Sequence, residues 1–216
     1  LNKIKYGIIG ASGKMGKEIN SLMNENGDEL VFKYDIEGES YIEKPEVLID
    51  FSLPAVLEKT IQYTLKFRSP LVIGTTGFSD SQLKKIHELS ETVPVVQSYN
   101  FSVGIQMLIQ AAKMLQDKLS DWDIEISETH HRFKKDKPSG TAIMIKNALG
   151  KEVNISSLRL GNVVGEHSVS FGGLGETITI THSALSRRTF AEGVLRSVNF
   201  VIDKKKGLYT IKDVLA

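Results

Sequence analysis

Over the first hundred positions, short apolar runs alternate with stretches of helical spacing. Ile4 to Ile9 reads as a buried strand, followed by a glycine-rich turn and a helix with Met15, Ile19, Leu22 and Met23 on one face. Leu30 to Tyr34 predicts a second strand ending at Asp35, and Val47 to Phe51 a third, with Pro54 where a first helical turn accepts it. Leu71-Val72-Ile73 predicts a fourth strand, closed by Gly74-Thr75-Thr76-Gly77. Ser79 and Gln82 have capping-box spacing for a helix reaching Glu91, and Val93 to Val96 is a fifth strand. Strand and helix alternating in this way predict an α/β unit: a parallel sheet with helices on both faces.

After Asn100 the rhythm changes. A helix over about Gly104–Leu119 precedes an alternating strand through Trp122, Ile124 and Ile126, and Pro138-Ser139-Gly140-Thr141 opens another helix. Strands follow around Leu158–Asn162, Glu166–Phe171 and Thr177–Thr181, with few helices between them, so this half reads as α+β with an open, partly antiparallel sheet. A last helix near Thr189–Val201 and a strand over Leu208–Ile211 return the chain to the first pattern.

Composition removes several classes of function. Twenty-seven Lys and Arg balance 26 Asp and Glu, leaving a net charge of +1, so no nucleic-acid surface or polybasic membrane anchor is expected. The Lys204-Lys205-Lys206 run reads as a solvated turn. The chain has no cysteine, which excludes disulfides, Cys-ligated metals and thiol nucleophiles. No apolar stretch approaches the ~18 residues of a membrane span, and a strand begins too early for a signal peptide, so a cytoplasmic location is expected.

Gly10, Gly13 and Gly16 form a GxxGxxG variant of the dinucleotide fingerprint between the first strand and first helix. Glycine serves where the backbone turns tightly and where a side chain would block a pyrophosphate, and the helix's free N–H groups hold phosphate charge. The candidate cradle is Gly10, Ala11, Ser12, Gly13, Lys14, Met15 and Gly16. Asp35, 19 residues after Gly16, stands where a carboxylate binds ribose hydroxyls and repels a 2′-phosphate, favouring NADH. Lys14 and Lys33 lie near enough to tolerate NADPH, and both cofactors are expected to bind. Gly74, Thr75 and Thr76 end the fourth strand, where open sheets bind ligands.

The richest chemistry lies between Glu128 and Ala142. Ser139, Gly140 and Thr141 offer hydroxyls and N–H groups to one carboxylate, and His131 and Lys134 complement a second. His130 or Lys134 is a candidate donor of the proton needed after hydride transfer. Such a site asks for a small dianion with a reducible double bond. His130, His131 and Glu128 lack a recognised zinc spacing, and adjacent strand residues face opposite ways, so no metal is expected. His87, His167 and His182 read as structural or exposed.

These residues resemble the dihydrodipicolinate reductase family. His130-His131-Arg132-Phe133-Lys134 through Asp136-Lys137-Pro138-Ser139-Gly140-Thr141-Ala142 matches the motif HHxxKxDAPSGTA except at Lys137, where the family usually has alanine. The opening glycine turn, Gly74-to-Gly77, Asn100-to-Gly104, Gly165-Glu166-His167, Gly175-Glu176, Ile180-to-His182 and Phe190-to-Gly193 match in the family's order. The stretches between Asp35 and Val47 and between Gly150 and Arg159 are shorter than in longer members.

The resemblance implies a Rossmann-like cofactor domain, residues 1–101 plus 188–216, and an inserted α+β domain, 102–187, that binds substrate and forms a homotetramer through its sheet. Hinges near Asn100–Ser102 and Arg187 would let the domains close. It also implies NADH- or NADPH-dependent reduction of 4-hydroxy-tetrahydrodipicolinate, a cyclic dicarboxylate, to tetrahydrodipicolinate in lysine and diaminopimelate biosynthesis. His130 and Lys134 would be the general acid pair, and His131, Lys134, Ser139, Gly140 and Thr141 would bind substrate. Two other readings compete: a different NAD(P)-dependent oxidoreductase acting on a small carboxylate, and a non-catalytic NADH-binding redox sensor.

Overall fold

Alternation along the central strands sends neighbouring side chains into two different layers. In a computed structural model describing residues 3–216, the strands Lys5–Ile9 (β1), Glu29–Asp35 (β2), Gly38–Tyr41 (β3), Val47–Asp50 (β4), Leu71–Ile73 (β5), Pro94–Gln97 (β6) and Gly207–Tyr209 (β11) form one sheet. Its order is β11-β6-β5-β4-β1-β2-β3, parallel except for β3, which turns back against β2. Ile8 and Ile49 face a layer containing helices Lys14–Glu25 (α1) and Arg188–Val201 (α6), through Ile19, Met23, Val194 and Val198. Ile9 and Leu48 face the opposite layer, where Leu57–Phe67 (α2) and Asp80–Ser90 (α3) contribute Leu57, Phe67 and Ile86. Burying each such side chain contributes roughly 1.5–3 kcal/mol. This is one compact unit, running to Phe101 and resumed by Phe190–Ala216.

The second unit, Ser102–Thr189, contains Val103–Lys118 (α4), Asp123–His130 (β7), Gly140–Leu149 (α5), Asn154–Arg159 (β8), Gly165–Gly172 (β9) and Thr177–Ala184 (β10). Its four strands run β10-β9-β7-β8, with β7 parallel to β8 and β9 antiparallel to its two neighbours. Ile126, Val169 and Phe171 pack inward with Ile105, Ile109, Ala142 and Ile145 of the two helices. The other face carries hydroxyl pairs, Ser168–Thr181 and Ser170–Thr179, each 2.9 Å apart.

Three local details differ from the sequence pattern. β8 occupies Asn154–Arg159, upstream of the expected Leu158–Asn162, because it pairs in parallel with Glu125–His130 and turns Ile155, Ser157 and Arg159 inward. The hairpin strand β3 has four exposed residues and so no hydrophobic alternation to betray it. The final strand stops at Tyr209, since Thr210 and Asp213 form a capping box that starts a short helix, Ile211–Val214 (α7).

Candidate active site

The first unit places its glycine turn at the switch point of its sheet. β2 and β4 leave β1 in opposite directions, which opens a crevice at the strands' carboxyl ends. Gly10, at the end of β1, has φ +85, and a Cβ there would lie 2.6 Å from the Phe51 carbonyl oxygen. Gly16 is buried, and its Cβ would lie 2.2 Å from the Gly10 carbonyl oxygen. α1 begins after Gly13 with no side-chain cap, leaving its first N–H groups, at Lys14, Met15 and Gly16, available to an anion. A cavity of about 290 Å³ lies here, lined by Gly10, Ser12, Asp35, Ile36, Leu53 and Val56 among others.

Asp35 ends β2 and accepts hydrogen bonds from the N–H groups of Ser12 and Ile36. Burial acts to raise its pKa, but those N–H groups and the Lys33 ammonium hold the carboxyl below its ordinary value. The strand end thus places an ionised acid beside the glycine turn. Gly10, Ser12, Gly13 and Asp35 therefore line one crevice, while Ala11 lies in the turn beside it and Lys14, Met15 and Gly16 form the first turn of α1, with Met15 packed against the core. The Gly74–Thr76 turn is more divided. The Thr75 hydroxyl donates to the fully buried Asp50 at 2.9 Å and accepts from the Ser52 N–H, so it braces the turn from inside. Gly74 packs against the Phe51 ring, and Thr76 is exposed.

The second unit assembles its chemistry around one carboxylate. Glu128 and His130 lie two residues apart on β7 and so share a face. Glu128 is 1% exposed; its two oxygens accept from Arg159 Nη1 and Nη2, each at 2.9 Å. The same carboxylate binds His130 Nδ1 and accepts from the Ser139 N–H at 3.3 Å. A carboxylate this acidic only accepts, so Nδ1 carries a hydrogen. Burial alone would raise the Glu128 pKa, yet Arg159, His130 and the Ser157 hydroxyl hold it down to about 2.

Ser139 caps α5: its Oγ accepts from the Ala142 N–H at 3.2 Å and meets His167 Nε2 at 3.1 Å. Burial pushes His167 down to about 3, with His130 adding to the effect, so this imidazole is neutral. Gly140 and Thr141 form the first turn of α5 immediately behind the cap. Lys134 reaches Asp136 at 2.8 Å, and the Gly140 N–H acts on the same carboxylate. A carboxylate already bridges two groups expected to bind one. His131 lies just past β7, half-buried, its carbonyl accepting from the Lys134 N–H. Among the described residues no cluster of three or more metal-ligating side chains occurs, and no helix is long and apolar enough to cross a membrane.

Sequence reasoning singles out His130, Lys134 and the Ser139 turn but gives no role to Arg159, and it sets His167 aside as structural or exposed. His167 stands opposite Glu128 on β9 and Arg159 opposite His130 on β8, so register is what brings them in.

The low pKa of Glu128 has a consequence for stability. A depressed carboxyl contributes fully above its ordinary value of 4.5, and the contribution is lost as pH falls towards about 2. Fluorescence of Trp122, the single tryptophan, should report weakening of the second unit over that interval. In a Glu128→Gln variant the dependence over the same interval should flatten, from a lower plateau at neutral pH.

Family models for dihydrodipicolinate reductase match the chain twice, the N-terminal one over residues 4–101 and the C-terminal one over 104–215. A 4-hydroxy-tetrahydrodipicolinate reductase of Thermosipho africanus is 47% identical over 212 residues, covering 98% of each chain. The Rickettsia bellii protein of that name is 40% identical, over 97% of this chain and 94% of its own. Among solved structures, a dipicolinate-bound dihydrodipicolinate reductase from Paenisporosarcina sp. TG-14 aligns over 97% of this chain and 98% of its own, with a TM-score of 0.76 and 28% identity.

Proposed function

The chain belongs to the dihydrodipicolinate reductase family, and we propose that its first unit holds the cofactor while His130 and Lys134 of its second carry the chemistry. It is an NADH- or NADPH-dependent reductase that converts 4-hydroxy-tetrahydrodipicolinate to tetrahydrodipicolinate in lysine and diaminopimelate biosynthesis. The observation that carries the residue assignment is Glu128, which ties the ring of His130 and the Ser139 turn to one buried carboxylate.

The glycine cradle fits a dinucleotide: side chains at Gly10 or Gly16 would strike backbone, and the crevice ends at the Asp35 carboxylate. Ala11, Ser12, Gly13, Lys14 and Met15 would hold the pyrophosphate through N–H groups, Asp35 would take the ribose hydroxyls, and Gly74, Thr75 and Thr76 would lie towards the nicotinamide. When bound, the cofactor supplies the hydride that adds to the ring double bond left conjugated with the imine after water departs. The ring then needs one proton, so the net change is gain of a hydride and a proton and loss of one water. His130 and Lys134 supply that proton. One substrate carboxylate binds the Ser139, Gly140 and Thr141 turn, with His131 and Lys134 on the second; Lys134 leaves Asp136 to do so. The dipicolinate in the related structure is a cyclic dicarboxylate of the same class.

We further infer a cytoplasmic homotetramer assembled through the outer face of the β7–β10 sheet, whose flat rows of hydroxyl pairs suit a sheet-on-sheet contact. The activity is tested by supplying substrate in place with dihydrodipicolinate synthase, pyruvate and aspartate semialdehyde, and following oxidation of NADH and NADPH separately. Both should be consumed, NADH at the higher kcat/KM. An Asp35→Ser variant should shift that ratio towards NADPH by about tenfold, since the carboxylate no longer repels the 2′-phosphate. A folded, cofactor-binding protein that oxidises neither would overturn the assignment.

A further inference from the structure

We propose that Glu128 is a positioning residue for the reduction, with Arg159 as its counter-ion, and that together they fix His130 through Nδ1 so that Nε2 exchanges the proton. The proposal rests on the reading of His130 as a catalytic group and adds the machinery that orients it.

Sheet register builds the arrangement. Glu128 and His130 point to the same face of β7; Arg159 on β8 stands opposite His130, and His167 on β9 stands opposite Glu128. A fully buried carboxylate is costly unless paired, and the Arg159 fork pairs it through both oxygens. That alone would satisfy the charge. The carboxylate nevertheless also takes His130 Nδ1 and the Ser139 N–H, besides the Ser157 hydroxyl, and so reaches two parts of the proposed substrate site.

The opposite nitrogen faces glycine backbone. A Cβ on Gly165 would lie 3.1 Å from His130 Nε2, so this glycine keeps the space beside the exchanging atom open. The Arg159 fork is itself anchored, Nη1 donating to the Leu158 carbonyl at 2.6 Å and Nη2 to the Asp136 carbonyl at 2.5 Å. An acceptor fixed at Nδ1 selects the neutral tautomer whose Nε2 bears a lone pair, and the same contact stabilises the imidazolium once Nε2 is protonated.

Charged and titratable groups face His130 from its own and the neighbouring elements: Glu128 on its own strand, Arg159 on β8, the neutral His167 on β9 and Lys134 in the loop after β7. Burial first, then the Lys134 and Arg159 cations, lower the His130 pKa, while Glu128 raises it. The two proposed residues therefore act with opposite signs. Removing the Glu128 charge should lower the pH at which His130 titrates, and removing the Arg159 charge should raise it. A purely structural pair would give losses without that opposition.

The test is nitrogen-15 NMR of the histidines in the full-length protein, with His130 assigned by its absence from a His130→Gln spectrum, alongside the pH dependence of kcat. Above its titration, wild-type His130 should be the Nδ1–H tautomer, a result that needs no variant to fold. Glu128→Gln should lower its titration by about one pH unit and kcat by about 100-fold. Arg159→Gln should move the titration upwards, and Arg159→Lys, which keeps the charge, should return it towards wild type. An Nε2–H tautomer in the wild type, or shifts of the same sign in Glu128→Gln and Arg159→Gln, would overturn the proposal. A His130→Gln enzyme of full activity would overturn the catalytic reading itself; an inactive one with unchanged His130 titration in both other variants overturns only the positioning role.

Discussion

A His130→Ala, Lys134→Ala double variant is expected to lose about 10⁴-fold or more in kcat/KM while binding NADH as tightly as the wild type. Positioned general acids contribute about 10²–10⁴-fold, and removing one charge-assisted contact to a buried carboxylate costs roughly 10–100-fold more. The single variants should separate these parts. His130→Ala removes a proton carrier tied to Glu128 and should act mainly on kcat. Lys134→Ala removes both the proposed donor and the cation proposed to complement a substrate carboxylate, so kcat should fall and KM rise. Because the two residues serve one proton and one anion, the double variant should lose less than the product of the singles. Steady-state rates with substrate generated in place measure this, and nicotinamide fluorescence measures cofactor affinity, which the proposed division of roles assigns to residues of the other unit. A double variant within tenfold of wild type would reject the assignment of both residues.

Much of the fold was legible because its strands and caps carry local signals. Ile8 and Ile9 fill two separate layers, the pattern a central parallel strand requires. Ser79 and Gln82 close the capping box that their spacing indicates, and Ser139 caps α5 at the position its turn sequence indicates. Legibility failed where no local signal exists. β3 buries nothing, so its exposed Gly38-Glu39-Ser40-Tyr41 looks like any loop, and only pairing with β2 makes it a strand. β8 begins earlier than the apolar pattern indicates because its inward residues end in Ser157 and Arg159, which break the apolar alternation just where they reach the site.

The candidate site divides in the same way. His130, Lys134 and Ser139–Thr141 fall in one short stretch whose residue types declare an anion site and a proton donor. Arg159 and His167 lie 31 and 39 positions beyond Glu128, and only register brings them together. A signal did exist, since an arginine ending a strand and a histidine on the strand face that also carries Val169 and Phe171 are both expensive to bury alone. In the first unit the glycines marked the cradle, but Ile36, Phe51 and Leu53, which wall the crevice, are ordinary apolar residues in sequence. Thr75 shows the reverse case: its sequence position marks it as a ligand-facing residue, but its hydroxyl serves the buried Asp50.

Gly16→Ala should weaken cofactor binding by about 100-fold or more and destabilise the first unit by roughly 1–3 kcal/mol. Two effects oppose each other at this position. Alanine is favoured over glycine within a helix by up to about 1 kcal/mol, and Gly16 lies in the first turn of α1. Its Cβ, however, would stand 2.2 Å from the Gly10 carbonyl oxygen and 2.8 Å from Ala11 Cα, all backbone atoms that no rotamer change can clear. Either α1 or the Gly10–Ala11 turn must then move, and each carries N–H groups on which a pyrophosphate depends. Gly13→Ala supplies the contrast. Gly13 has φ −66, which alanine adopts freely, and its Cβ would stand 3.2 Å from the Gly10 oxygen, a contact that a small adjustment relieves. Its methyl group would nonetheless enter the space a pyrophosphate needs, so affinity should fall while urea unfolding changes little. Affinity and stability should thus fall together at Gly16 and separate at Gly13. If Gly16→Ala leaves both unchanged, the close approach of α1 to the glycine turn is not what shapes the cradle; if Gly13→Ala binds NADH normally, the phosphates do not pass over that residue.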